Sequence, residues 1–313
     1  MLTWIFCVLV SPFVLFVATR GLASAGSAIL ERRYPPPGRM VSVGRYQLML
    51  YCEGQGSPTV VIEPGIGVDW TAWRVVWSKL VESTRVCVYD RAGYGWSQAG
   101  RFPRSGLQLA VELQMLLENA GEKGPFILAG HSFGGYIARL FAAHFGDSLS
   151  GVVLVDPSHE DEPAAPGTQS SPHGLLSVLP PLGTVRLRKL YQGKTALPVD
   201  LRDAPRPFQN RFLVASSLVQ LRSERNEFDS LEQTKAQMRA AKFPEDLPLT
   251  VITALKTAPA FHREVQKQLA AQSRFGRQVL AENSGHSVQR DQPELVITAI
   301  EDMIRLARAK SSQ

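Results

Sequence analysis

PFILAGHSFGGYIARLFAAHFG, residues 125–146, decides the fold. Its first third, Pro125 to Ser132, is a short apolar run of strand length. Its remainder, Phe133 to Phe145, carries apolar residues at helical spacing and stops at Gly146. Between the two halves stands Gly130-His131-Ser132-Phe133-Gly134, a G-x-S-x-G string at a strand-to-helix turn. In that setting the string reads as a nucleophile elbow: a strained turn lifts the serine hydroxyl off the sheet edge. Small neighbours relieve the crowding, a need that Gly130, Gly134 and Gly135 meet. The same turn sets Ser132 at a helix N-terminus, where backbone N–H groups favour developing negative charge. A serine before a helix is also an ordinary cap, so the rest of the chain has to separate the two readings.

Working outward, strands and helices alternate. LSGVVLVDP (149–157) follows as a continuous apolar strand, the pattern of a strand buried on both faces. Upstream lie a hairpin at 40–54 turning near Gly44 and Arg45, strands at 58–65 and 84–95, a helix at 69–83 capped by Asp69, and a helix at 105–121 begun by Ser105. Downstream, alternation resumes with LPLTVITA (247–254), a helix at 259–273, RQVLAE (277–282) and a helix from Pro293 to about residue 309. Alternating units predict an α/β fold with a mostly parallel sheet and helices on both faces. Residues 158–246 break the pattern, with helical pieces expected at 184–192, 209–224 and 228–241. An insertion at that point implies a cap over the carboxyl ends of the strands, where open α/β sheets bind ligands. The expected organisation is therefore a segment 1–22, a Pro-rich linker 23–39, a core made of 40–157 and 247–313, and a cap 158–246.

Bulk composition narrows the function. With 44% apolar and 20% charged residues in 313, a large core is affordable and disorder does not dominate. The net charge of +6 is scattered, without a basic block or binding motif, so nucleic acid is not an expected partner. Residues 2–19, LTWIFCVLVSPFVLFVAT, are uncharged and about long enough to span a bilayer. Two readings stand. A retained anchor makes the protein membrane-associated; a cleaved signal, with Ala23-Ser24-Ala25 as its small-residue site, makes it secreted or periplasmic. Arg20, Arg32 and Arg33 follow the run, which favours a cytoplasmic side after a retained anchor.

A serine hydroxyl needs a base. Of six histidines, His286 in Ser284-Gly285-His286 falls between the last strand and the last helix, a loop that returns to the elbow. His131 should point away from the Ser132 hydroxyl, and His144 reads as a surface or packing residue. For His159, His173 and His262, substrate contact and solvent exposure both stay open.

The stretches VVIEPGIG (60–67), VYDRAGYGWS (88–97), ILAGHSFGGYIARLFA (127–142), GVVLVDPS (151–158) and NSGHSVQRDQPELV (283–296) together resemble the α/β-hydrolase family, in its esterase- and lipase-like branch. The resemblance covers residues 40–310 or so. It implies an eight-stranded sheet, a variable cap, and a triad in chain order nucleophile, acid, histidine, with Ser132 and His286 as first and last members. Many members carry the acid after the seventh strand. Here that loop reads Ala254-Leu255-Lys256-Thr257-Ala258, without a carboxylate. Asp156, one strand earlier, is the substitute, since an acid at that strand end needs a partner that an imidazole supplies. Its alternative role is to cap the turn before Pro157, and Glu160 and Asp161 stand behind it as candidates.

An oxyanion is expected to meet the backbone N–H of Phe133 and of a residue after Gly65; Pro64 has none, and Ile66 is chosen over Gly67 by position. Asp90 and Arg91 are expected to brace that loop, while Tyr94 and Trp96 either line the pocket mouth or pack inside. Cys52 and Cys87 fall on strands that neighbour each other in this fold and are expected to be free thiols. Implied overall is a hydrolase of carboxylic esters acting on a small acyl substrate, with no metal or organic cofactor. Amide or thioester hydrolysis, acyl transfer and a non-catalytic binding role are the other readings.

Overall fold

The computed structural model describes residues 21, 24–162, 184–256 and 259–311. Eight strands form one sheet: β1 (Arg39–Val43), β2 (Tyr46–Glu53), β3 (Thr59–Glu63), β4 (Val86–Tyr89), β5 (Phe126–His131), β6 (Leu149–Val155), β7 (Leu249–Ala254) and β8 (Gly276–Ala281). Their spatial order is β1-β2-β4-β3-β5-β6-β7-β8. β2 runs antiparallel to both neighbours, and every pair from β4 onward is parallel. Gly44, at φ 75°, makes the β1–β2 turn where the sequence places it.

The central strands are buried along their whole length, which is why they read as unbroken apolar runs. Successive residues serve opposite faces. Ile127 and Ala129 pack into one layer with Trp70, Trp73, Trp77 and Ile300, and Leu128 into the other with Leu113, Ile137 and Phe141. At the edge, β8 is only half-buried.

This order fixes where chemistry can occur. The chain leaves β3 in one direction to build β4, then returns past β3 to build β5, so β3 and β5 lie side by side at a switch point. The carboxyl ends of such strands diverge and leave a crevice. The loops after β3, β5, β6 and β8, which carry Ile66, Ser132, Asp156 and His286, open on that same edge of the sheet.

The interval between β6 and β7 holds helices Thr184–Gln192, Val199–Arg202, Arg206–Val214, Leu218–Asp229 and Leu231–Ala240. The expected helix 209–224 is two helices. Ser216 has φ 70°, and the Ser217 side chain accepts from the Gln220 N–H at 2.9 Å to start the second. Phe208 from this interval meets Trp70 and Trp77 edge-on, each at 5.0 Å between ring centroids, and so joins the insertion to the core.

Three expectations change or fall away. The segment 23–39, expected as a Pro-rich linker, is not a linker throughout, because residues 24–33 are helical, Leu30 is fully buried and Glu31 pairs with Arg186 of the insertion at 3.2 Å. Cys52 and Cys87 are not free thiols: the β2–β4 register sets them directly opposite each other, and a disulfide joins them. The apolar stretch 2–19 lies outside the described residues; among those described, no helix is long and apolar enough to cross a membrane.

Candidate active site

Ser132 has φ 55° and ψ −123°, a conformation that costs a non-glycine residue energy and persists only when its surroundings impose it. Those surroundings are tight. A Cβ on Gly134 would stand 2.2 Å from the Glu63 carbonyl oxygen, one on Gly130 2.6 Å from the Gly134 carbonyl oxygen, and one on Gly135 2.5 Å from Pro157 Cβ. The glycines around the serine are thus the condition for wedging the elbow between the ends of β3 and β6. The Ser132 carbonyl accepts from Gly135 N at 2.9 Å and Ser158 N at 3.1 Å, which closes the turn from both sides.

Asp156 lies just past β6 at φ 43° and is buried. Its Oδ2 accepts from His286 Nδ1 at 2.6 Å; its Oδ1 accepts from the Ala254 N–H at 2.9 Å and from His262 Nε2 at 2.8 Å. Burial alone would raise this carboxyl, but the hydrogen bonds from the two histidines outweigh it and hold it at about 2. Asp156 therefore stands as the anion His286 leans on. Glu160 is committed elsewhere, in a bidentate pair with buried Arg139 at 2.7 and 2.8 Å, and exposed Asp161 lies near His159 and Arg239.

The histidine loop is held independently of its ring. Asp291 Oδ2 accepts from Gly285 N at 2.9 Å and Ser284 Oγ at 3.2 Å. His131 Nε2 donates to the His286 carbonyl at 2.8 Å, and because a carbonyl only accepts, the proton of His131 sits on Nε2. Burial, with His286 adding to it, pushes His131 down to about 4, so the ring is neutral. It is a strut from the elbow to the base loop. His286 itself keeps a side chain 56% exposed at the site's mouth.

On the other side, Arg91 braces the loop after β3. Its Nη1 donates to the Pro64 carbonyl at 2.7 Å and Glu63 at 2.8 Å, and its Nη2 to the Gly65 carbonyl at 2.9 Å and Glu227 at 3.0 Å. Those bonds hold the Pro64 and Gly65 carbonyls on the guanidinium and so fix the backbone that leads to Ile66. The Gly67 N–H is given to Tyr94 Oη at 3.3 Å, whereas among the described residues the Ile66 N–H donates to none. Gly65 is pressed against the nucleophile position, since a Cβ there would lie 3.1 Å from Ser132 Cβ. Tyr94 and Trp96 are packing residues, both buried.

Residues 60–299 match the Alpha/beta hydrolase family. The chain belongs to that family. Its resemblance to an "AB hydrolase superfamily protein" of Gibberella zeae extends over 290 residues at 28% identity, covering 80% of this chain and 87% of the relative. Bacillus subtilis YqjL is 33% identical over 109 residues, which are 35% of this chain and 43% of that protein. Among solved structures, an esterase of Thermogutta terrifontis aligns at TM-score 0.62 and 21% identity, over 86% of this chain and 98% of its own. A putative lipase of Acinetobacter baumannii aligns at TM-score 0.62 and 21% identity over 92% and 97%. These likenesses show that the fold is that of the α/β hydrolases.

Of the residues the sequence singles out, the structure joins Asp156 to His286 by a hydrogen bond and sets Ser132 and Ile66 on the two sides of the β3–β5 crevice. Sequence reasoning left three participants without a role. Glu63 anchors Arg91 from the end of β3, and a lone acid closing the run VVIE was the available signal. Glu227 grips the same guanidinium from the insertion, and nothing in its local sequence marks it. His262, for which the sequence leaves substrate contact and solvent exposure both open, occupies the second oxygen of Asp156.

Proposed function

We propose that this α/β hydrolase cleaves carboxylic esters through Ser132, His286 and Asp156, with the Ile66 and Phe133 N–H groups receiving the oxyanion. The observation that carries the proposal is the 2.6 Å bond from His286 Nδ1 to Asp156 at the edge where the elbow presents Ser132. With Nδ1 donating to the carboxylate, Nε2 is left as the basic nitrogen. It takes the Ser132 proton as Oγ attacks the carbonyl carbon. The negative charge moves onto the carbonyl oxygen, and the two N–H groups receive it. His286 then gives its proton to the departing alkoxide, and water repeats the sequence to release the acid from Ser132. The insertion 158–246 acts as a cap that selects the acyl and alcohol groups, and the segment 2–19 holds the enzyme at a membrane or carries it across one.

Amide and thioester hydrolysis and acyl transfer use the same groups; a panel of chromogenic substrates separates them from ester cleavage. A non-catalytic role would go with an acid remote from His286; the 2.6 Å bond from His286 Nδ1 to Asp156 supports the catalytic reading instead. A fluorophosphonate should label the wild type and leave Ser132→Ala unlabelled, and Asp156→Asn should lower ester turnover by a factor of about 10³ or more, the scale of triad losses. Labelling of Ser132→Ala at the wild-type rate would remove the serine from this role.

A further inference from the structure

Asp156 is shared by two histidines. Besides His286 on Oδ2, it holds His262 Nε2 on Oδ1 at 2.8 Å, and the other nitrogen of that ring, Nδ1, meets Glu162 Oε1. His262 comes from the helix Ala260–Ala270 after β7, and Glu162 from the first residues of the insertion. The side chains are 13% exposed for His262 and 5% for Asp156, so water screens the contact little. An ionised carboxylate only accepts hydrogen bonds. A neutral ring between two such oxygens would put one nitrogen lone pair against an oxygen lone pair. A ring carrying both protons satisfies both contacts.

We propose that His262 is a protonated positioning residue for the triad: clamped between Asp156 and Glu162, it fixes the carboxylate that orients His286 and sets how readily His286 takes up a proton. The inference rests on the triad reading above. Two effects follow from the one contact. The donors His262 Nε2 and Ala254 N–H on Oδ1 hold the carboxylate so that Oδ2 faces His286. The positive charge of His262, one carboxylate away, opposes a second positive charge on His286. Among the described residues, the groups facing His262 are Asp156 from the end of β6 and Glu162 from the insertion; those facing His286 are Asp156 and the buried, neutral His131. Glu162 is itself held, its Oε2 by the His159 N–H at 3.2 Å and its carbonyl by Lys235 Nζ at 3.1 Å. The opposing costs agree with this state: burial lowers the His262 ring, yet its bonds to Asp156 and Glu162 prevail and raise it to about 10.

The test uses the intact enzyme. In ¹⁵N spectra at pH 8, the His262 ring, assigned by its proximity to the Ala254 N–H, should show two protonated nitrogens; a ring with one bare nitrogen, the proton lying on Glu162, overturns the proposal without any variant. In kinetics on a short-chain chromogenic ester, His262→Gln keeps an N–H donor and loses the charge. It should lower kcat about tenfold with KM within about twofold, and move the acid limb of kcat/KM up by about one pH unit, the expected scale for removing a unit charge at that remove. A variant that folds and shows the wild-type limb overturns the proposal. Asp156→Asn tells the two failures apart: if it retains turnover, the triad reading falls; if it loses turnover while His262→Gln keeps the wild-type limb, only the role of His262 falls.

Discussion

Asp156 stands at φ 43°, in a region that aspartate and asparagine enter more readily than most residues because their short side chains satisfy nearby backbone groups. That makes Asp156→Asn a clean substitution for the backbone and a harsh one for the charge. The carboxyl is held at about 2 in the fold against an ordinary 3.8. A lowered folded value contributes stability that is present above 3.8 and lost as the pH falls through about 2. The difference in Tm between wild type and Asp156→Asn should accordingly hold steady from pH 6 to about pH 4.5 and narrow as the pH is taken toward 2. Thermal melts across that range check it, and a difference that widens in acid would contradict the state assigned to Asp156. The acid was legible in sequence because an aspartate closing an apolar strand requires a partner. His262 was not, because a histidine in AFHREVQKQ looks like any surface residue of an amphipathic helix, and its partner is 106 positions away in the chain.

Among elements, the loop after β3 depends on a side chain from the loop after β4. Arg91 is fully committed: its planar fork reaches the Pro64 and Gly65 carbonyls together with Glu63 and Glu227. Glu63 shows the balance in that pocket, since burial raises its carboxyl to about 7 although Arg91 and Tyr89 pull it down. Lysine cannot reproduce five donors in a plane. Arg91→Lys should thus cost about 3 kcal/mol, the scale of a broken buried pair, and release the Ile66 turn. Urea melts should show the loss of stability, and kcat for ester cleavage should fall about tenfold or more in protein that remains folded at low denaturant, as expected when one oxyanion donor is misplaced. Normal turnover would mean that the loop holds its shape without Arg91. The strand and helix pattern of this region was readable because central parallel strands are apolar on both faces. The insertion was less so: its helix pair around Ser216 breaks inside a continuous helical pattern, and the salt links that seat it, Glu227 to Arg91 and Arg211 to Asp90, join residues more than 100 positions apart.

For the molecule as a whole, the Cys52–Cys87 disulfide bears on where the protein works. The expected free thiols treated the two cysteines as small buried hydrophobes, but their strands are neighbours in register, and side chains directly opposite across an antiparallel pair are close enough to bond. The bridge spans 35 positions in sequence, and closing a loop of that length stabilises a fold by about 3–4 kcal/mol in the chain-entropy account. Disulfides persist where the surroundings are oxidising. The arginines after the apolar segment favour a cytoplasmic side for a retained anchor, whereas the bridge favours an oxidising compartment, as a cleaved signal would give. The bridge and the arginines thus make opposite forecasts, and a thiol titration separates them. Protein prepared from its native host without reductant and then unfolded should gain two titratable thiols on reduction, and its urea midpoint should fall when dithiothreitol is present. An unchanged thiol titre and midpoint would return the core to a reducing compartment, with the apolar segment as an anchor facing the cytoplasm.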